Sequence, residues 1–295
     1  MTFFLGVDGG GSTCRARLEN SAGEVLGAAN TGPANLASEP GRALANIEAA
    51  INQAIAAAGD QFSLADYQHT QCVLGLAGYN MARGQRGIDG WQSPFEHTYI
   101  TSDMHIACAG AHAGADGAII ITGTGSAAFV QHAGQHQQLG GYGLTLGDQA
   151  SGAWLGAQSI EYLLQMFDGL IPACKFLKAV QSQIQCHDGE SVFENYSAAV
   201  PAQFASLAPT VFQYAEQSEL ALAIIQEACD YVEKLVARVQ SMGAVRVALT
   251  GGMSKALQAY LSPAVQRALS SPGTSPLAGA IILAKNLHVA EAKPC

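Results

Sequence analysis

A short apolar run near the start, Phe3-Phe4-Leu5-Gly6-Val7, leads into Asp8 and then into three successive glycines, Gly9-Gly10-Gly11, before Ser12-Thr13. Apolar strand residues feeding a glycine turn let backbone N–H groups approach phosphate closely, while a carboxylate at the mouth of the turn can handle a metal. Two familiar phosphate-binding patterns are excluded. A P-loop needs Gly-Lys-Ser/Thr, and no lysine here follows a glycine. A dinucleotide fingerprint needs a third glycine at position 14, where Cys14 stands, and Cys14 to Glu19 alternates like a strand instead of opening a helix.

The arrangement recurs later. Ala118-Ile119-Ile120-Ile121 reads as a buried strand, Gly123-Thr124-Gly125-Ser126 as its turn, and Ala127-Ala128-Phe129-Val130 as the next strand. One such hairpin is an ordinary tight turn; a pair, one near the start of each half, suggests two related lobes facing each other across a nucleotide. With Leu249-Thr250-Gly251-Gly252 added, the three segments resemble the first phosphate loop, second phosphate loop and adenosine loop of the actin, Hsp70 and sugar-kinase superfamily. Within it the chain is most similar to the BadF/BadG/BcrA/BcrD ATPase family, particularly its N-acetylglucosamine and glucosamine kinases, nearly from end to end.

That resemblance implies an α/β chain with a two-lobed actin-like ATPase (ribonuclease H-like) fold, a duplicated βββαβαβα unit with a helical elaboration in the second lobe. It places residues 1–112 and a returning helix, about 276–290, in the first lobe and 113–275 in the second. The local patterns fit. Strands are expected at Phe3 to Asp8, Cys14 to Glu19 and Val25 to Ala29, then a helix from about Gly41 to Ala58 with Leu44, Ile47, Ile51 and Ile55 on its core face. Strands at Cys72 to Leu76 and Thr98 to Ser102 are separated by a glycine-rich loop through Gly90, and a helix begins at Asp103. The second half reads as a hairpin followed mostly by helix, Gln149 to Phe167 and Leu220 to Val239 being the clearest, then a strand at Arg246 to Thr250 and a last helix from Pro276 to Leu287.

With 295 residues and 49% apolar composition, the chain can furnish two cores. The net charge of −9 and the absence of any basic cluster exclude a nucleic-acid footprint. No apolar window approaches membrane-spanning length, and nothing before Asp8 resembles a leader, so the expectation is a cytoplasmic protein with no membrane partner. Seven scattered cysteines without a C-x-x-C pair suit a reducing compartment and argue against structural zinc; Cys186-His187 alone does not make a metal site.

Phosphoryl transfer from ATP needs a phosphate cradle, a metal and a positioned base. The backbone of Gly9 to Thr13 and of Gly123 to Ser126 offers the cradle, with Ser12, Thr13 and Thr124 hydroxyls as added donors. Asp8 would hold Mg²⁺ through water, with a turn-forming Asx role as the ordinary alternative. Asp103, between a strand and a helix, is the candidate base, a role that the resemblance implies; capping the helix is the alternative. His105 would point elsewhere and be packed or solvated.

Gly140 to Gly152, with Gly141 and Asp148, resembles the family's sugar loop, against the alternative that Asp148 caps the following helix. Asn35 matches a family position that meets the substrate, and Gly251 and Gly252 would admit the adenine face. Where animal-type N-acetylglucosamine kinases carry Asn after Gly-Thr-Gly-Ser, this chain has Ala127. The resemblance therefore implies ATP-dependent phosphorylation of glucosamine or N-acetylglucosamine at the 6-hydroxyl, by a possible homodimer whose other partner is the small-molecule sugar. The alternatives are a kinase for another hexose, an activator-type ATPase that drives a partner enzyme through an iron–sulfur cluster, and a nonenzymatic sugar sensor.

Overall fold

A computed structural model describes residues 1–291. The chain divides into two compact units, Met1–Gly117 joined by the chain from Pro272 onward, and Ala118–Ser271.

In the first unit, β1 (Phe3–Gly9), β2 (Cys14–Asn20) and β3 (Val25–Thr31) are followed by α1 (Pro40–Ala58), β4 (Thr70–Leu76), α2 (Ala82–Gly87), β5 (His97–Ser102) and α3 (Asp103–His112). The sheet order is β3-β2-β1-β4-β5, with β1 antiparallel to β2 and parallel to β4, and β4 parallel to β5. Both faces of the sheet are covered, which is why β1 reads as a continuous apolar run. Phe3, Leu5 and Val7 join the core under α1, whereas Phe4 joins Val73, Ile106 and Ile281 on the opposite face.

The α1 stripe lies one position away from its expected centre. Ala43, Ile47, Ala50, Ile51, Ala54 and Ala58 are buried, and Leu44 and Ile55 are half-buried flanks. A Cβ added at Gly27 of β3 would stand 2.0 Å from Ala54 O, so helix and strand meet backbone to backbone and only small residues fit between. On the other face the helix Pro276–Glu291 crosses α3 equally closely, since a Cβ at Gly279 would stand 1.9 Å from Ile106 O. The glycine-rich segment between β4 and β5 also holds the short helix α2, which the sequence does not announce.

In the second unit, β6 (Gly117–Thr122), β7 (Ser126–His132) and β8 (Gln135–Gly140) precede a helical stretch. This comprises α4 (Gly152–Phe167), α5 (Lys175–Ile184), α6 (Gly189–Tyr196), α7 (Pro201–Ala205), α8 (Ala208–Gln213) and α9 (Glu219–Ser241). Then come β9 (Val247–Thr250), α10 (Ser254–Gln258) and α11 (Pro263–Ala268), and the chain returns to the first unit as α12 (Pro276–Glu291). The order is β8-β7-β6-β9, with β9 parallel to β6. A single parallel bridge between Val247 and Leu269 stands where the first unit has a full fifth strand.

Strand β8 escapes the sequence reading because its residues, Gln-His-Gln-Gln-Leu-Gly, are exposed or half-buried at a sheet edge and carry no apolar alternation. One core of helices α4 to α9 lies against β6, β7 and β9, anchored by Leu155, Phe176, Val211, Ile225 and Val236. Among the described residues, no helix is long and apolar enough to cross a membrane.

Candidate active site

Strand register gathers two of the expected residues at the carboxyl ends of the parallel strands of the first unit. Asp8 lies beside Gly75, and Leu76 lies beside Ser102, the residue before Asp103. Open α/β sheets bind ligands at such ends.

Asp8, the penultimate residue of β1, faces its hairpin partner Arg15, with Nη1 3.9 Å from Oδ2. Burial pushes its carboxyl above the usual range, against the pull of the Arg15 charge. The turn that follows is narrower as a cradle than its glycines suggest. Gly9 is buried in β1, and a Cβ there would stand 2.7 Å from Leu76 Cδ2, so packing by itself favours a glycine. Gly10 N–H donates to Thr13 O at 2.9 Å, and Gly10 O accepts from Ala34 N–H at 2.8 Å. The amides left for a ligand are those of Gly11, Ser12 and Thr13, and a Cβ at Gly11 would meet nothing within 4 Å.

Asp103 is not the cap of α3. Ser102 is: its Oγ accepts from His105 N–H at 3.1 Å. The carboxylate of Asp103 sits at the first helical position, with Oδ1 accepting from Met104 N–H at 2.9 Å and its own backbone N–H also acting on the carboxylate. Burial raises its pKa to about 6, Met104 N–H holds it down, and the neighbouring Asp8 charge pushes it up again. His105 is packed, as expected, with Nδ1 2.9 Å from Thr101 Oγ1 and its ring edge-on to Tyr99. Asn35 spends its carbonyl oxygen on an Asx turn, accepting from Ala37 N–H at 2.9 Å, while its Nδ2 makes no hydrogen bond among the described residues.

The second unit builds its turn differently. Gly123 N–H donates to Gly125 O at 2.9 Å, and the carbonyls of Gly123 and Thr124 accept from Gly152 and Ala153 N–H at 2.7 and 3.2 Å. The unpaired first-turn amides of α4 are thus satisfied by the turn itself. Ser126 Oγ donates to Gln149 O at 2.5 Å, and Ser126 N–H acts on the Asp148 carboxylate. Ser126 therefore ties the hairpin to the following loop, and the outward donors are the Thr124 and Gly125 amides and the exposed Thr124 hydroxyl.

The expected helix from Gln149 begins only at Gly152. Asp148 and Ala150 have φ of 58° and 65°, conformations no helix accommodates, and Ser151 is the cap, its Oγ accepting from Trp154 N–H at 3.0 Å. Asp148 is thereby released from capping. It is 8% exposed, with Oδ1 buried and without a hydrogen-bond partner. Burial raises its pKa, against the pull of the Gly143 and Ser126 N–H groups. A Cβ at Gly125 would stand 2.8 Å from Asp148 Oδ2, so the second glycine turn and the Gly140 to Gly152 loop are one packed assembly. Gly141, at φ 76°, closes on Ala127, since an added Cβ would lie 3.2 Å from Ala127 Cβ.

Gly251 completes this group. Its φ is 96°, and a Cβ would stand 2.4 Å from Thr122 O, which also accepts from Met253 N–H at 2.9 Å. Gly251-Gly252 is therefore packed on the end of β6, directly before the second glycine turn, with Gly252 facing open space.

Over residues 5–284, a span that includes both glycine turns, the chain matches a known family, the BadF/BadG/BcrA/BcrD ATPase family. The chain belongs to that family. Among its relatives is the glucosamine kinase GspK of Vibrio cholerae, 31% identical over 285 residues, 96% of each chain. A crystal structure from Chromobacterium violaceum, provisionally assigned as an N-acetylglucosamine kinase, is 28% identical with a TM-score of 0.84 over 96% of this chain and 99% of that one. The fold extends to a ROK family glucokinase from Streptomyces griseus, at a TM-score of 0.53 and 14% identity over 96% of this chain and 99% of the other. The architecture of this BadF/BadG/BcrA/BcrD ATPase is the actin-like fold of such sugar kinases.

Proposed function

We propose that the protein is a kinase that transfers the γ-phosphoryl group of ATP to the 6-hydroxyl of an amino sugar, glucosamine or N-acetylglucosamine. The observation that carries this reading is Asp103: a carboxylate at a strand end, relieved of capping by Ser102 and titrating near 6. A general base works best when its pKa lies close to the working pH, because it must be ionised yet able to hold a proton. Asp103 accepts the proton of the sugar hydroxyl as that oxygen attacks phosphorus, and ADP leaves with the electrons of the broken P–O bond.

The amides of Gly11, Ser12 and Thr13, and those of Thr124 and Gly125, bind phosphate oxygens; Gly252 admits the adenine face. Asp148 and Asn35 Nδ2 contact the sugar. Mg²⁺ fits the residues present. Among the described residues no group of three or more His, Cys, Asp or Glu could hold a metal alone, but Mg²⁺ needs only one or two carboxylates, with phosphate and water completing its shell. Asp8 is such a carboxylate, buried enough to be oriented and adjacent to the phosphate turn. When bound, the ion neutralises charge developing on the transferred group.

Six described cysteines are free thiols, four of them less than 2% exposed, which suits a cytoplasmic enzyme and leaves no exposed thiolate set for a bridging iron–sulfur cluster among the described residues. A coupled ADP-release assay across glucosamine, N-acetylglucosamine, N-acetylmuramic acid and glucose tests the proposal. An amino sugar is expected to exceed glucose at least about tenfold in kcat/KM, the worth of one well-placed polar contact to the 2-substituent. A preference for glucose, or ATP hydrolysis indifferent to sugar, overturns it.

A further inference from the structure

The sugar loop has a wall that comes from far along the chain. Helix α9 buries Ala228, Cys229, Val232 and Leu235, and Tyr231 sits at the edge of that face, its ring packed on the core while the residue as a whole stays half-buried. Its hydroxyl reaches the sugar loop. A Cβ built on Gly140 would stand 3.2 Å from Tyr231 Oη, so the loop passes close over this hydroxyl. Among the described residues Tyr231 Oη makes no hydrogen bond, and Asp148 Oδ1, on the same loop, is buried with no partner. Asp148 Oδ1 leaves the loop's hydrogen bonding incomplete, because a buried polar atom without a partner is costly and is retained where something else completes it, and the half-buried Tyr231 hydroxyl stands at the same loop as an available donor and acceptor.

We propose that Tyr231 is a specificity-determining residue of the sugar site, its hydroxyl working with Asp148 Oδ1 to take two neighbouring ring hydroxyls of the substrate. The two groups are complementary. A carboxylate oxygen only accepts, so the ligand must bring a donor, and a phenol both donates and accepts, as does a sugar hydroxyl. The Asp148 charge, after burial, helps hold the Tyr231 phenol above its ordinary pKa, so it stays protonated and able to donate throughout the neutral range. The loop itself is held in a costly form. Asp148 and Ala150 both lie at positive φ, a conformation that persists where surrounding contacts enforce it and that clusters at ligand sites. Those contacts are the Ser126 hydroxyl on Gln149 O and the packing of Gly125 on Asp148.

This inference rests on the amino-sugar kinase reading, and the experiment separates the two. Steady-state kinetics of the full chain and of Tyr231→Phe are compared with glucosamine, N-acetylglucosamine and their 3-deoxy and 4-deoxy forms. Removing one neutral hydroxyl contact is expected to raise sugar KM at least about threefold, with kcat and ATP KM within about twofold and melting temperature unchanged. The increase should vanish with the deoxy sugar that lacks the contacted hydroxyl, which a merely structural tyrosine would not produce. If wild type is active and Tyr231→Phe keeps sugar KM within threefold, or if the penalty is the same for every deoxy sugar, this inference falls alone. A wild type without amino-sugar kinase activity removes the functional reading and this one together.

Discussion

The two glycine turns look alike in sequence and behave differently as structures. In the first unit, the turn after β1 keeps three outward amides and an uncrowded Gly11, and its ties run from Gly10 to Thr13 and Ala34 and from the Gly9 carbonyl to Ala77 N–H. In the second unit, the turn after β6 is bolted to the start of α4 through Gly123 and Thr124, and to the Gly140 to Gly152 loop through Ser126 and Gly125. Strand order repeats between the units, β3-β2-β1-β4-β5 against β8-β7-β6-β9, yet the fifth strand survives in the second unit only as one bridge at Leu269. The lesson concerns what each duplicate keeps. The unit with full β5 and α3 uses that strand end to present Asp103, and the other places its acid in a loop, at Asp148.

The sharpest way to break this division of labour is Asp103→Asn. If the first unit carries the base, turnover falls by about 10²–10⁴ with sugar and ATP binding nearly intact. The wild-type kcat/KM profile should lose activity as pH falls through about 6, since the protonated carboxyl cannot accept a proton. The same residue gives a stability test. Its pKa is higher in the fold than the ordinary value of 3.8, so its charge costs stability in full above about pH 6, and the cost shrinks as pH falls from there and is gone only below about 3.8, where the unfolded chain is protonated too. Asn at 103 should therefore raise the melting temperature at pH 8 by more than at pH 5. An equal shift at both pH values would mean that Asp103 is not buried as a charge.

A smaller loss is expected from Asp8→Ala, about 10- to 100-fold in activity with a raised Mg²⁺ requirement, the usual cost of disturbing a water-mediated metal contact. Because Asp8 helps push the Asp103 carboxyl up, the acidic limb of the residual activity should also move to lower pH. A limb that stays in place would separate the two carboxylates.

The contrast between the turns themselves is tested by a matched pair of alanines. Gly125→Ala brings a Cβ to 2.8 Å from Asp148 Oδ2 and should raise sugar KM about tenfold, whereas Gly11→Ala meets open space and should leave folding unchanged and sugar KM within about twofold. Equal effects would mean that the second turn is no more tied to the sugar loop than the first. The smallest expected effect is Ala150→Gly, where relief of a left-handed alanine is offset by the loss of a fully buried methyl group and by a freer unfolded chain; stability in denaturant unfolding should stay within about 1 kcal/mol of wild type.

The readable parts of the site were those with local signatures. Asp8 before three glycines, Gly123-Thr124-Gly125-Ser126 and Gly251-Gly252 each announce a turn after a strand, and an apolar strand run needs no knowledge of its neighbours. The unreadable parts depended on competition. Asp103 and Asp148 both qualify as helix caps by residue type, and Ser102 and Ser151 take those positions because the preceding backbone brings their hydroxyls, and not the carboxylates, onto the third helical amide. Strand β8 was invisible because a polar edge strand has no burial period, and Tyr231 because nothing in α9 marks which loop will cross its hydroxyl.

Local residue order is enough to set where strands meet glycine turns, which acids stand at their ends, and that the pattern occurs twice. Those follow from backbone sterics and from apolar spacing within a dozen residues. Long-range packing sets which amides stay free, which acids are released from capping and how closely α1 may lie on β3. Each of these is settled by a partner distant in sequence, such as Ala34 for Gly10, Gly152 for Gly123 and Ala54 for Gly27, and a hydrogen bond or a steric limit exists only once that partner is in place.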